Sequence, residues 1–284
     1  MSGIRGCLRK VVDSNALRSP DLQQFLAERP TNIAVVSDYV GVEIHKKDPL
    51  ITLPESMRVL CQFPRQVLVL KGTSILCGMS GRSARLQQRL IDARGTKEFP
   101  RYCQLLRSVE AGHVGLESQV LELSRAADGV IRSIEAGLPG VAEGISGVGR
   151  IYTAEERAQI RTDQPISAQV VDKLVKSSME LAGFTLAKDS RIHRMPRFEE
   201  LINRYTFRFT LCVNILALRW VSFGGVTTVS DDRLRNDVID AHFATCATFF
   251  DGLISKDNNA QIIYQVASQI LEEMRKAAAL PAGG

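Results

Sequence analysis

The stretch NDVIDAHFATCATFFDGLISKDNN, from Asn236 to Asn259, ends one helix, supplies a short strand and sets a carboxylate just past the strand's tip. Asp237 and Asp240 lie three apart, so on a helix they share a face. Residues 249–254 are apolar enough for a buried strand, after which Ser255, Lys256 and Asp257 turn outward. The opening of the chain offers partners for these acids. Asp13 follows the apolar run 8–12, and Glu43 lies in the segment 37–47. Carboxylates brought together from distant segments are the chemistry of a divalent-metal site with oxygen ligands.

Around this stretch the chain reads as alternating elements. Residues 8–12 form a first strand, followed by Asp13-Ser14-Asn15. Ser19-Pro20-Asp21 starts a helix with proline in its first turn. Residues 33–36 form a second strand, and Ser37 caps the helix that carries Asp38 and Glu43. A helix over 54–63 and a strand over 66–71 complete a pattern that predicts an α/β fold with parallel strand order. From Gly72 to Ser230 the spacing turns helical, over 83–94, 115–136, 167–182 and from Pro196 to Trp220. Thr153-Ala-Glu-Glu156 has the form of a capping box, and the glycine-rich run 137–149 reads as a loop. Ser230 with Asp231 and Asp232 starts a late helix to about Thr248, and another runs from Asn258 to about Lys276.

The 284 residues carry a formal charge of +5, spread along the chain rather than gathered in an arm. That is compatible with a nucleic-acid partner and does not by itself indicate one. The six cysteines form no C-x-x-C pair and the four histidines are scattered, which argues against zinc and against a disulfide framework. The most apolar segment, 207–226, contains Arg208, Asn214 and Arg219. A charge at mid-membrane costs about 2.5 kcal/mol or more, so the segment is expected to be a buried helix, in a cytoplasmic protein with no membrane partner.

Taken in order, V-V-D-S-N at 11–15, S-D-Y-V-G-V-E at 37–43, N-D-V-I-D-A-H at 236–242 and S-K-D-N at 255–258 resemble the four acidic motifs of PIN-domain (PIN-like) ribonucleases. The resemblance covers a third to a half of the chain. It implies a PIN-like three-layer fold with a central, mostly parallel sheet, built from 1–72 and 230–276. Residues 73–229 then form a large all-helical insertion and 277–284 a flexible tail. It further implies an Mg²⁺- or Mn²⁺-dependent endoribonuclease. Its catalytic acids would be Asp13, Glu43, Asp237, Asp240 and Asp257, with Asp13, Glu43, Asp240 and Asp257 holding metal. Asp237 and Asp240 both fit the third acid, and the residues do not separate them. Asn15 and Ser255 would hydrogen-bond the ligands. Lys46, Lys47, Arg233, Arg235 and Lys256 flank the acids and are candidates for the RNA backbone.

The implied partners are single-stranded or structured RNA, an inhibitor protein as in toxin–antitoxin or defence systems, and a second copy of the chain. The alternative is a catalytically weak or silent PIN-like module for protein interaction or oligomerisation. Each residue also has a plainer reading. Asp13 can be a turn cap, Glu43 a solvated helix residue, Asp237 a surface acid paired with Arg233, and Asp251 a structural residue. His242 reads as core, as does the stripe Phe198, Tyr205, Phe209 and Trp220.

Overall fold

The structure is a computed structural model that describes residues 6–44, 49–112, 117–118, 121–122, 147–148, 150–161, 166–224 and 230–279. The chain opens with β1 (Arg9–Val12), a single 3-10 turn (Ser14–Ala16), α1 (Pro20–Glu28), β2 (Ile33–Val36), α2 (Asp38–Ile44), α3 (Pro49–Gln62) and β3 (Val67–Val69). Then come α4 (Thr73–Gly78), α5 (Leu86–Leu90), α6 (Ala93–Glu110), α7 (Ala154–Arg161), α8 (Ala168–Lys188), α9 (Phe198–Leu201), α10 (Tyr205–Ser222) and α11 (Asp231–Ala247). Strand β4 (Gly252–Ile254) and α12 (Asn258–Ala279) follow.

The fold is mixed α/β, as the alternation predicts. Its four strands form one all-parallel sheet in the order β3-β2-β1-β4. Val11 pairs with Val35 on one side and Leu253 on the other. Val11, Val12, Ala34 and Val35 are fully buried, which is why β2 (IAVV) is a continuous apolar run and β1 (RKVV) becomes apolar in its second half. Ser19 caps α1 by accepting the Leu22 N–H at 3.1 Å. The Gln66 amide donates to Leu26 O, Arg29 O and Asn32 O at 2.8–2.9 Å, tying the end of α1 to the start of β2.

Contacts divide the chain into two compact units. Met1–Thr73, Gln87–Ile134 and Phe249–Asn258 form the first; Ser74–Leu86, Glu135–Thr248 and Asn259–Gly284 form the second. This line differs from an insertion over 73–229 in a core of 1–72 and 230–276. Helix α6 joins the sheet because Thr96 Oγ1 accepts the Val69 N–H at 3.0 Å and Arg107 donates to Cys61 O on α3 at 2.6 Å. Helices α11 and α12 join the helical unit, where Ala241, Ala244, Ile263, Ala267 and Leu271 share a core with Phe207 and Leu211. Helix α12 also continues to Ala279, into the expected tail; residues 280–284 lie outside the described residues, as do most of 115–149.

In the second unit α10 is buried around most of its circumference, and its polar residues have partners. Asn214 donates to Ser178 Oγ at 2.9 Å, and Arg208 donates to Ile202 O, Thr248 O and Asn203 Oδ1 at 2.7–3.2 Å. The long helix expected from Pro196 to Trp220 is broken into α9 and α10, and Arg208 Nε satisfies the Ile202 carbonyl at the break. The Thr153–Glu156 capping box forms in both directions, at 2.8 and 3.2 Å. His242 is a core residue, with Tyr205 Oη 2.6 Å from Nδ1 and Cys246 Sγ 3.6 Å from Nε2. Among the described residues, no helix is long and apolar enough to cross a membrane.

Candidate active site at the carboxyl edge of the sheet

Parallel pairing puts the carboxyl ends of all four strands on one edge. From β1 the chain steps to β2 on one side, whereas β4 lies on the other. Strand order therefore reverses at the β1–β4 pair, the switch point at which open α/β sheets leave a crevice beyond their carboxyl ends. Asp13 follows β1 here and Ser255 follows β4. The Asp13 N–H donates to Ile254 O at 3.0 Å, adding one more bond to the β1–β4 ladder.

The side chains then interlock. Ser255 Oγ donates to Asp13 Oδ2 at 2.6 Å, Asn15 Nδ2 donates to the same oxygen at 2.7 Å, and Ser14 Oγ donates to Oδ1 at 3.2 Å. Asn15 Oδ1 accepts the Lys256 N–H at 2.8 Å, and Ser255 Oγ accepts the Asp257 N–H at 2.9 Å. Ser14 and Asn15 enter a 3-10 turn directly after the strand, a conformation that Ser and Asn favour through their local hydrogen bonds. One hydroxyl thus links the Asp13 carboxylate to the backbone of Asp257, 244 positions along the chain.

Asp13 is 1% exposed. Burial raises its pKa above the ordinary carboxylate value, and hydrogen bonds from Ser255, Asn15 and Ser14 pull the other way without cancelling it. A nearby cation would remove this cost. Mg²⁺ is commonly held by one or two carboxylates with several retained waters, and Asp13 and the half-buried Asp257 each follow a strand end at this edge. A closed cage of protein ligands does not fit: among the described residues no three His, Cys, Asp or Glu side chains group closely enough to hold a metal ion.

The other expected residues fall as follows. Glu43 is on α2, but its side chain, with Lys46 and Lys47, lies outside the described residues. Asp237 is buried and Asp240 half-buried, both on α11 in the second unit. In that unit the Arg233 guanidinium lies 5.4 Å from the Trp220 ring centroid, and Arg235 pairs with Asp232 at 2.9 Å. Lys256 is exposed at the β4 turn. Asp251 is structural: its Oδ2 accepts the Arg9 N–H at 2.8 Å at the start of β1. For this reason β4 begins at Gly252 and not at Phe249.

Asp38 was not among the expected site residues, yet it stands at the carboxyl edge beside β2. Its two oxygens accept the Thr73 N–H at 2.7 Å and the Thr73 hydroxyl at 3.0 Å. The signal is in the sequence, since Val35-Val36-Ser37-Asp38 repeats the pattern of Val11-Val12-Asp13. Comparison of the chain with protein-family models, with curated proteins and with solved structures finds no match.

Proposed function

We propose that the chain is an Mg²⁺- or Mn²⁺-dependent endoribonuclease working at the carboxyl edge of the β1–β4 pair. The observation that carries this is a buried, desolvated carboxylate, Asp13, locked to the β4 turn that bears Asp257. A bound ion would activate a water and neutralise charge on the scissile phosphate. Asp13 and Asp257 would hold it. Ser255 and Asn15 fix the Asp13 carboxylate by donating to Oδ2, which leaves Oδ1 the less occupied oxygen. Lys256, exposed beside Asp257, would meet the RNA backbone. Glu43 and either Asp237 or Asp240 remain the further acids that the PIN-like resemblance implies.

Titration with Mn²⁺ on a generic RNA, comparing wild type with Asp257→Asn and Asp13→Asn, tests the proposal. Both variants should lose cleavage. Equal cleavage by Asp257→Asn and wild type would refute it and favour the second reading, a silent PIN-like interaction module. One observation supports that second reading: three side chains already donate to Asp13.

A further inference from the structure

Helices α3 and α6 pack against each other in the first unit, and two polar contacts set their register. Arg58 on α3 pairs with Glu110 on α6 at 3.3 Å. Nearly one turn on, Arg107 of α6 donates to the carbonyl of Cys61 at 2.6 Å. Three residues forward along α3 are thus three residues back along α6, so the helices run antiparallel. Cys103 lies four residues before Arg107, on the same face of α6 and one further turn along it. That turn brings it to Cys61. Both cysteines are buried, Cys61 being 6% exposed and Cys103 1%.

The two thiols hydrogen-bond each other, and their surroundings make them unequal. The bond from Cys103 lowers the pKa of Cys61; burial opposes this, and the charge of Arg107 adds to it against that of Glu110. The same bond raises the pKa of Cys103, and burial raises it further. The Tyr102 phenol feels both sulfurs and keeps its proton, because burial and the two sulfurs raise its pKa. A buried cysteine by itself serves as a small hydrophobe. A thiol that favours its anion, beside one that holds its proton, is instead an attacking and resolving pair.

We propose that Cys61 and Cys103 form an oxidation site whose co-substrate is hydrogen peroxide and whose product is a disulfide joining α3 to α6. The Cys61 thiolate attacks one peroxide oxygen, breaking the O–O bond and giving a sulfenic acid and hydroxide. The Cys103 sulfur then attacks the Cys61 sulfur, and the sulfenic OH leaves as water with the Cys103 proton. In sum a thiolate, a thiol and one peroxide give a disulfide, a water and a hydroxide. The sulfurs, already in hydrogen-bond contact, close to about 2 Å. Helix α6 also holds β3, through Thr96 Oγ1 and the Val69 N–H, so the new bond fastens α3, α6 and β3 to one another. The site does not depend on the nuclease proposal.

Peroxide titration of the native full chain tests this, followed by alkylation of the remaining thiols, digestion without reductant and mass spectrometry. The peptides bearing Cys61 and Cys103 should appear joined, lighter by two hydrogens, and should separate after dithiothreitol. In Cys103→Ser the reaction should stop at the Cys61 sulfenic acid, which dimedone traps. In Cys61→Ser, dimedone uptake at Cys103 should be at least about tenfold lower, because that thiol keeps its proton. Failure to join the two peptides, at a peroxide dose that fully oxidises the exposed Cys7, would overturn the proposal. So would a crosslink that forms in urea and not in native buffer, or equal dimedone uptake at the remaining cysteine of the two variants.

Discussion

At the scale of single residues, two buried charges make opposite demands. Asp13 is a desolvated acid whose folded-state pKa lies above its ordinary 3.8. Between those two values the folded chain binds more protons than the unfolded one. Its contribution is therefore most favourable below the lower value and is lost as pH rises through the raised one. Asp13→Asn removes this dependence. In urea unfolding the stability of wild type relative to Asp13→Asn should fall as pH goes from acid to neutral; a difference independent of pH would contradict the assignment. Arg208 is a fully buried cation that serves carbonyl groups at two breaks, Ile202 O before α10 and Thr248 O after α11. Arg208→Met fills the space but leaves those acceptors bare, at about 1–3 kcal/mol for each buried group left unsatisfied. Chemical denaturation should show a loss in that range or larger.

At the scale of elements, the close approach of Gly81 to α9 is the most sensitive contact in the second unit. Gly81→Ala puts a methyl against a backbone carbonyl that has no rotamer to escape into. Overpacking of this kind costs about 1–3 kcal/mol. The variant should melt earlier, whereas an unchanged melting temperature would show that the loop at Gly81 can shift. What the sequence reveals at this scale depends on distance along the chain. Ser19, Thr153 and Ser230 make their capping bonds to residues three positions away, and each was readable. The helix expected over 83–94 shrinks to α5 because Ile91 instead bridges Leu70 and Asp92 caps α6. The expected helix start at Pro54 moves back to Pro49, because Leu53 is fully buried and draws the preceding turn into α3. The Leu70–Ile91 bridge leaves no local mark, whereas the Asp92 cap, made to the Arg94 and Gly95 N–H groups, does. Of the candidate site, the Asp13–Asn15–Ser255 lock was readable from the order of the motifs. The Thr73 partner of Asp38 was not, because a hydrogen bond across 35 residues has no periodicity.

At the scale of the whole molecule, each unit has its own core, and the acids expected to act together are divided between them: Asp13 and Asp257 in the first, Asp237 and Asp240 in the second. Metal binding discriminates among readings of this arrangement. If Asp13 and Asp257 hold the ion, Mn²⁺ at about 100 times its Kd should stabilise the protein by about 2.7 kcal/mol. Scanning calorimetry should register this in wild type and not in Asp13→Asn. A metal-induced rise preserved in Asp13→Asn would place the ion elsewhere. The β1–β4 pairing has a further consequence during synthesis. Ser255 emerges 242 residues after Asp13, and ribosomes add roughly 5–20 residues per second. For many seconds the first strand exists without its β4 neighbour, so a nascent or prematurely terminated polypeptide would carry Asp13 without the Ser255 hydroxyl that holds its carboxylate.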